Sequence, residues 1–106
     1  MLFRSTTRAG GVSTAPFDSM NLGDHVGDVA QHVAQNRALL HNAIDARPVF
    51  LTQVHGTKVV EYGPSGPAAP NQPIVADACI TRHPGAACTI MVADCLPVLI
   101  DRKSVG

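Results

Sequence analysis

The chain has 106 residues and a formal net charge of zero, with 45% apolar and 15% charged side chains. Zero net charge removes the electrostatic reason to expect nucleic acid or an anionic membrane as partner, and no apolar run approaches the ~18 residues of a membrane-spanning helix. A charged fraction below the usual ~25%, in a chain short enough to bury little of its surface, implies that this domain either pairs with something or is a piece of a larger one.

Met1-Leu2-Phe3-Arg4 lacks the apolar core of a signal peptide. The three cysteines, Cys79, Cys88 and Cys95, form no regular spacing. An odd count fits reduced intracellular thiols better than a disulfide framework, so the expected location is cytoplasmic. Residues 5–27 are dense in Gly, Ser, Thr, Pro, Asn and Asp and read as a series of turns. Gly10-Gly11 and Asn21-Leu22-Gly23 are expected to supply backbone angles that other residues resist. The stretch fits an ordinary surface loop or a substrate-binding loop on a rigid scaffold.

Asp28 is read as the N-cap of the one main helix, about 28–45, with Gln31 completing an approximate capping box. Val29, Val33, Leu40 and Ile44 form its apolar stripe, widened by Ala30 and Arg37, while His32 and Gln35 point elsewhere onto a solvated face. The helix ends before Arg47-Pro48, because a residue preceding proline avoids the helical region.

Val49 to Val54 and Val59 to Tyr62 read as strands joined by the turn His55-Gly56-Thr57-Lys58, a hairpin. Residues 63–73 carry four prolines and read as an exposed loop. Ile74 to Thr81 is a further strand with Asp77 inside it, and His83-Pro84-Gly85 is a turn. Thr89 to Asp101 reads as two buried apolar runs meeting at Asp94-Cys95, with Pro97 marking a sheet edge or a break. A buried carboxylate there needs a partner, and the break suggests a pocket floor. Ser104-Val105-Gly106 reads like a turn about to start another strand. Strands arriving in a run, with the helix apart, give an α+β layout.

His55 and Cys95 lie 40 residues apart, with no short-range ligand spacing. If the turn bearing His55 opens toward Asp94-Cys95, an imidazole and a thiolate supply two ligands of a zinc or copper site. Asp94 then orients a ligand or moves a proton. His25 and Asp77 are weaker ligand candidates. Otherwise His55 is a polar turn residue and Cys95 a small core hydrophobe.

Six pieces occur in one order along the chain: Thr7-Arg8-Ala9-Gly10-Gly11-Val12-Ser13; Asn21-Leu22-Gly23 with His25-Val26-Gly27-Asp28; Asn36-Arg37; Gln53-Val54-His55-Gly56; Ala76-Asp77-Ala78; and Ala93-Asp94-Cys95-Leu96-Pro97-Val98. In these the chain resembles the peptidoglycan editing factor family, also called laccase-domain or polyphenol oxidase proteins, which includes enzymes described as purine nucleoside phosphorylases. The resemblance implies half of a four-layer α/β/β/α sandwich with a mixed sheet. It implies a zinc site, or copper in some accounts, built from His55, Cys95 and a second histidine in a His-Ala-Gly-Trp motif that follows the last residue of this chain. Residues 1–106 would be the N-terminal part of a single catalytic domain, inactive alone.

The activity implied for the full-length protein is phosphorolysis of adenosine or inosine, with possible adenosine deamination. Cys95, His55 and Asp94 are its catalytic candidates. Arg8, Asn36 and Arg37 are candidates for holding a phosphate or carboxylate, which a guanidinium grips with two hydrogen bonds. The alternatives are an amidase editing a peptidoglycan precursor, a copper polyphenol oxidase, and a nucleoside-binding module without turnover. The expected partners are a nucleoside and phosphate, with self-association or a complementary C-terminal half covering the exposed sheet.

Overall fold

One helix and four short strands make up the regular structure of residues 3–63 and 73–101, the residues that the computed structural model describes. In chain order they are α1 (Ala30–Ile44), β1 (Arg47–Val49), β2 (Val59–Tyr62), β3 (Ala78–Thr81) and β4 (Ala86–Cys88). This is an α+β arrangement. Most of the loop expected at 63–73 and the turn expected at Ser104–Gly106 lie outside the described residues.

The sequence of α1 holds no Gly or Pro and is rich in Ala, Gln and Leu, all tolerant of helical geometry. It starts two residues later than expected. The residue at the N-cap position is Val29, which makes no side-chain capping bond. Asp28 is engaged elsewhere: its Oδ2 accepts from Ser13 Oγ at 2.5 Å and Asn21 Nδ2 at 3.1 Å, and its Oδ1 accepts from Val29 N at 2.7 Å. The capping box with Gln31 therefore does not form. At the other end Asp45 takes left-handed angles (φ 51°, ψ 40°) and its N–H closes on His41 O, just before Arg47-Pro48.

Val33, Asn36 and Leu40 are the buried residues of α1. Val29, at 54% exposure, lies off the expected stripe. His32 is half-buried rather than solvated, with its Nδ1 4.0 Å from Asp28 Oδ1. Val33, Leu40, Val49, Leu51 and Ala76 form a small apolar core.

The hairpin is not there. β1 pairs with β4, Val49 opposite Cys88, and β2 pairs with β3, Val60 opposite Cys79; both pairs are parallel. An isolated parallel bridge joins Thr52 to Val75. The expected mixed sheet is thus, among the described residues, two parallel two-stranded sheets. The physical reason lies at the expected turn. The backbone N–H groups of Val54, His55 and Gly56 all donate to the Asp77 carboxylate, at 3.0, 2.8 and 2.9 Å. Amides that a hairpin would direct across to its second strand are held by a side chain instead.

Thr89 to Asp101 also departs from expectation. It forms no strand, and every residue from Val92 to Asp101 is exposed. Leu96 (87%) and Ile100 (84%) are nearly free of contact. Asp94 is exposed as well, so its charge is solvated and needs no buried partner. The strand that does precede this segment, β4, occupies residues that the sequence placed just after a turn.

Candidate functional site

The site is built from two irregular segments, 50–56 and 89–95. Leu51 is buried and fixes the first segment in the core. Two residues on, Gln53 reaches the second: its Nε2 donates to Met91 O at 3.0 Å, and its Oε1 accepts from Met91 N at 2.8 Å. One side-chain amide thus binds the second segment as a neighbouring strand would.

Beyond Gln53 the chain turns sharply. His55 has φ 58°, a left-handed conformation uncommon for a residue with a Cβ. Asp77, immediately before β3, over-determines that turn by accepting all three successive amides. The N–H groups of Gly56 and Val54 hold the Asp77 carboxyl below its usual range; burial opposes them, and the His55 N–H and ring add smaller contributions in the same direction.

The outcome is a meeting of the two residues expected to act together. Cys95 Sγ lies 3.9 Å from His55 Nε2, and both side chains are exposed. A thiolate and an imidazole on one tetrahedral zinc sit about 3.6 Å apart, given Zn–S of ~2.3 Å and Zn–N of ~2.05 Å. The observed spacing is within a small side-chain adjustment of that value, so this donor pair fits two positions of a zinc site. Among the described residues no third His, Cys, Asp or Glu completes a cluster. Asp94 adjoins Cys95 on the exposed segment.

The three phosphate candidates fall in different surroundings. Arg8 is exposed, with its Nε donating to Asp18 O at 3.2 Å. Arg37 packs flat: its guanidinium carbon is 3.9 Å from the centroid of Phe50, its Nε donates to Leu22 O at 2.9 Å, and its Nη2 lies 3.8 Å from Asp24 Oδ1. Burial lowers the Arg37 pKa, against the pull of Asp24. Asn36 is fully buried. Its Oδ1 accepts from Val12 N at 2.8 Å, and its Nδ2 donates to Ser13 Oγ at 2.9 Å and Asn21 O at 2.8 Å. Asn36 thus organises the 5–27 loop from beneath and does not present its amide to solvent. Met20 N and Ser19 N both donate to Arg8 O, folding the loop back on itself.

Sequence reasoning missed the parts of Gln53 and Asp77 that position the site. An acidic residue placed inside an apolar run, as Asp77 is, was the available signal.

A family model described as multi-copper polyphenol oxidoreductase laccase matches residues 3–106. The chain belongs to this family. It is 52% identical over 99 residues to purine nucleoside phosphorylase PA4543 of Pseudomonas aeruginosa, a match covering 93% of this chain and 38% of that protein. It is 48% identical over 102 residues to a purine nucleoside phosphorylase of Haemophilus influenzae, covering 94% of this chain and 40% of that one. Among solved structures it resembles Neisseria meningitidis protein NMB0706, with a TM-score of 0.76 and 38% identity over 85% of this chain and 36% of the other. The laccase-family chain thus spans about two-fifths of the length of the curated relatives it matches. Its likeness to the Neisseria structure is that of part of a sandwich. Among the described residues no helix is long and apolar enough to cross a membrane.

Proposed function

We propose that this chain supplies the N-terminal half of the active site of a zinc-dependent purine nucleoside phosphorylase, acting on adenosine or inosine with phosphate. The observation that carries the reading is the 3.9 Å approach of Cys95 Sγ to His55 Nε2. Support comes from relatives named purine nucleoside phosphorylase over nearly the whole of this chain.

His55 and Cys95 would hold the metal, zinc rather than copper, since nothing in the reaction requires a change of oxidation state. When bound, zinc supplies Lewis acidity without redox chemistry. The chain's own contributions are positional. Asp77 fixes the His55 backbone, so the imidazole is presented at a set angle. Gln53 holds Met91, four residues before the thiol. Asp94, on the exposed segment, would accept or return a proton. Arg8 is the better anion ligand, because Arg37 is already engaged by Phe50, Leu22 and Asp24. The remaining metal ligand and part of the substrate pocket would come from protein beyond residue 106. In the cytoplasm a thiol of this kind stays reduced.

The test is hypoxanthine release from inosine and phosphate by a form extended to the relatives' length, assayed beside the 106-residue chain. Turnover by the longer form, abolished by chelation and in His55→Ala and Cys95→Ser, is expected; the short chain should be inactive. Undiminished turnover after chelation would remove the metal from the proposal. Oxidation of a catechol in place of phosphorolysis would replace it with a copper oxidase.

A further inference from the structure

Cys79 on β3 and Cys88 on β4 belong to different sheets, yet their sulfurs lie 3.4 Å apart. The turn at His83-Pro84-Gly85 folds the chain so that the two strands run side by side, with Ala86 N donating to His83 O at 3.1 Å. Neither thiol takes part in the site around His55. A disulfide has sulfurs about 2.05 Å apart, so the two thiols start about 1.4 Å from bonding distance.

We infer that Cys79 and Cys88 are a modification site, a thiol pair that a peroxide oxidises to a reversible disulfide joining β3 to β4. The inference is independent of the nucleoside reading. The two thiols are unequal. Cys88 is exposed and meets an oxidant first. Cys79 is half-buried, and its pKa is pushed up to about 12, by burial first and then by the S–H of Cys88. Cys88 is therefore the attacking thiol and Cys79 the resolving one.

The steps balance. The Cys88 thiolate sulfur attacks one oxygen of hydrogen peroxide, the O–O bond breaks, and the departing hydroxide takes up a proton to leave as water. Cys88 is now a sulfenic acid, oxidised by two electrons, and the peroxide is reduced. The Cys79 sulfur then attacks the Cys88 sulfur; the S–S bond forms, the S–O bond breaks, and a second water leaves with the Cys79 proton. The bridge closes a ring over residues 79–88 and links the β2–β3 sheet covalently to the β1–β4 sheet.

Peptide mapping tests this in the 106-residue chain. Trypsin cuts after Lys58, Arg82 and Arg102, so Cys79 falls in one peptide and Cys88 and Cys95 together in the next. After hydrogen peroxide, the 59–82 and 83–102 peptides should be joined within one chain, in the wild type and equally in Cys95→Ser, and dithiothreitol should separate them. In Cys79→Ser, Cys88 should instead be trapped as a sulfenic acid by dimedone. Loss of the joined peptides in Cys95→Ser would assign the bridge to Cys95 and overturn the inference. Joining only between two chains, or oxidation without joining, would overturn it as well.

Discussion

Gln53 grips Met91 from both sides, donating to its carbonyl at 3.0 Å and accepting from its N–H at 2.8 Å. Met91 lies four residues before Cys95, whose Sγ is 3.9 Å from His55 Nε2, so the pair ties together the two segments that carry the thiol and the imidazole.

Gln53→Leu removes both bonds and leaves two backbone groups of Met91 without partners. The expected loss is about 1–3 kcal/mol, seen as a lower urea midpoint. Gln53→Glu should cost at least as much at neutral pH, since a carboxylate oxygen then faces the Met91 carbonyl. A midpoint unchanged in both variants would mean that the bridge does not hold the segments together.

Asp77 makes stability depend on acidity. Its carboxyl is held below the ordinary range by three backbone N–H groups, so the unfolded state binds this proton more readily than the folded state. The stabilisation is complete above the unfolded value of about 3.9 and is lost as pH falls through the lower, folded value. Asp28, lowered chiefly by Ser13, acts in the same direction. Urea midpoints should drop as pH falls below about 4. The drop should be smaller in Asp77→Asn, which is already less stable at neutral pH. An equal drop in both would remove Asp77 as a source.

Gly10 and Gly11 should answer differently to alanine. Gly10 has φ +99° and open space around it, so Gly10→Ala meets only backbone strain of about 1 kcal/mol. At Gly11 a Cβ would run into the Ser19 carbonyl oxygen and come within 2.6 Å of Asn36 Oδ1 and Met20 Cα. Gly11→Ala should displace the 5–27 loop and cost several times more, about 3 kcal/mol or above. Thermal melts of the two variants rank them; equal costs would mean that the loop yields freely.

The run Leu96, Val98, Leu99 and Ile100 is exposed, at 87, 71, 53 and 84%, and contiguous exposed apolar surface favours association. The 106-residue chain should self-associate as its concentration rises, read by light scattering. Leu96→Glu with Ile100→Lys should reduce that association. A monodisperse wild-type monomer would show that the run is tolerated in water.

The helix was legible because its period and its Arg47-Pro48 stop are local signals. Its start was not, because Asp28 has two competing uses and the loop bonds from Ser13 and Asn21 win. The hairpin was misread for the same kind of reason. Two β-rich runs around His55-Gly56 look like neighbours, but the carboxylate that redirects the turn lies 22 residues away at Asp77. Burial of Thr89 to Ile100 was read from apolar character alone, which states what a segment needs and not what covers it. The His55–Cys95 approach was conditional on one geometric fact, the direction in which the turn opens, and no residue between them states it.

Parallel pairing also sets the order of events as the chain leaves the ribosome. β1 pairs in register with a strand about 39 residues later, Arg47 opposite Ala86, and β2 waits for β3, Val59 opposite Ala78. Nothing in either sheet can close as a quick local turn, and contacts distant in sequence fold slowly. While β1 awaits β4, α1 has only local contacts and the loop tied to Asn36 to hold it. The nascent chain therefore carries an unpaired β1 while about the next 39 residues are made, and a chaperone that shields extended segments would find its first binding opportunity there.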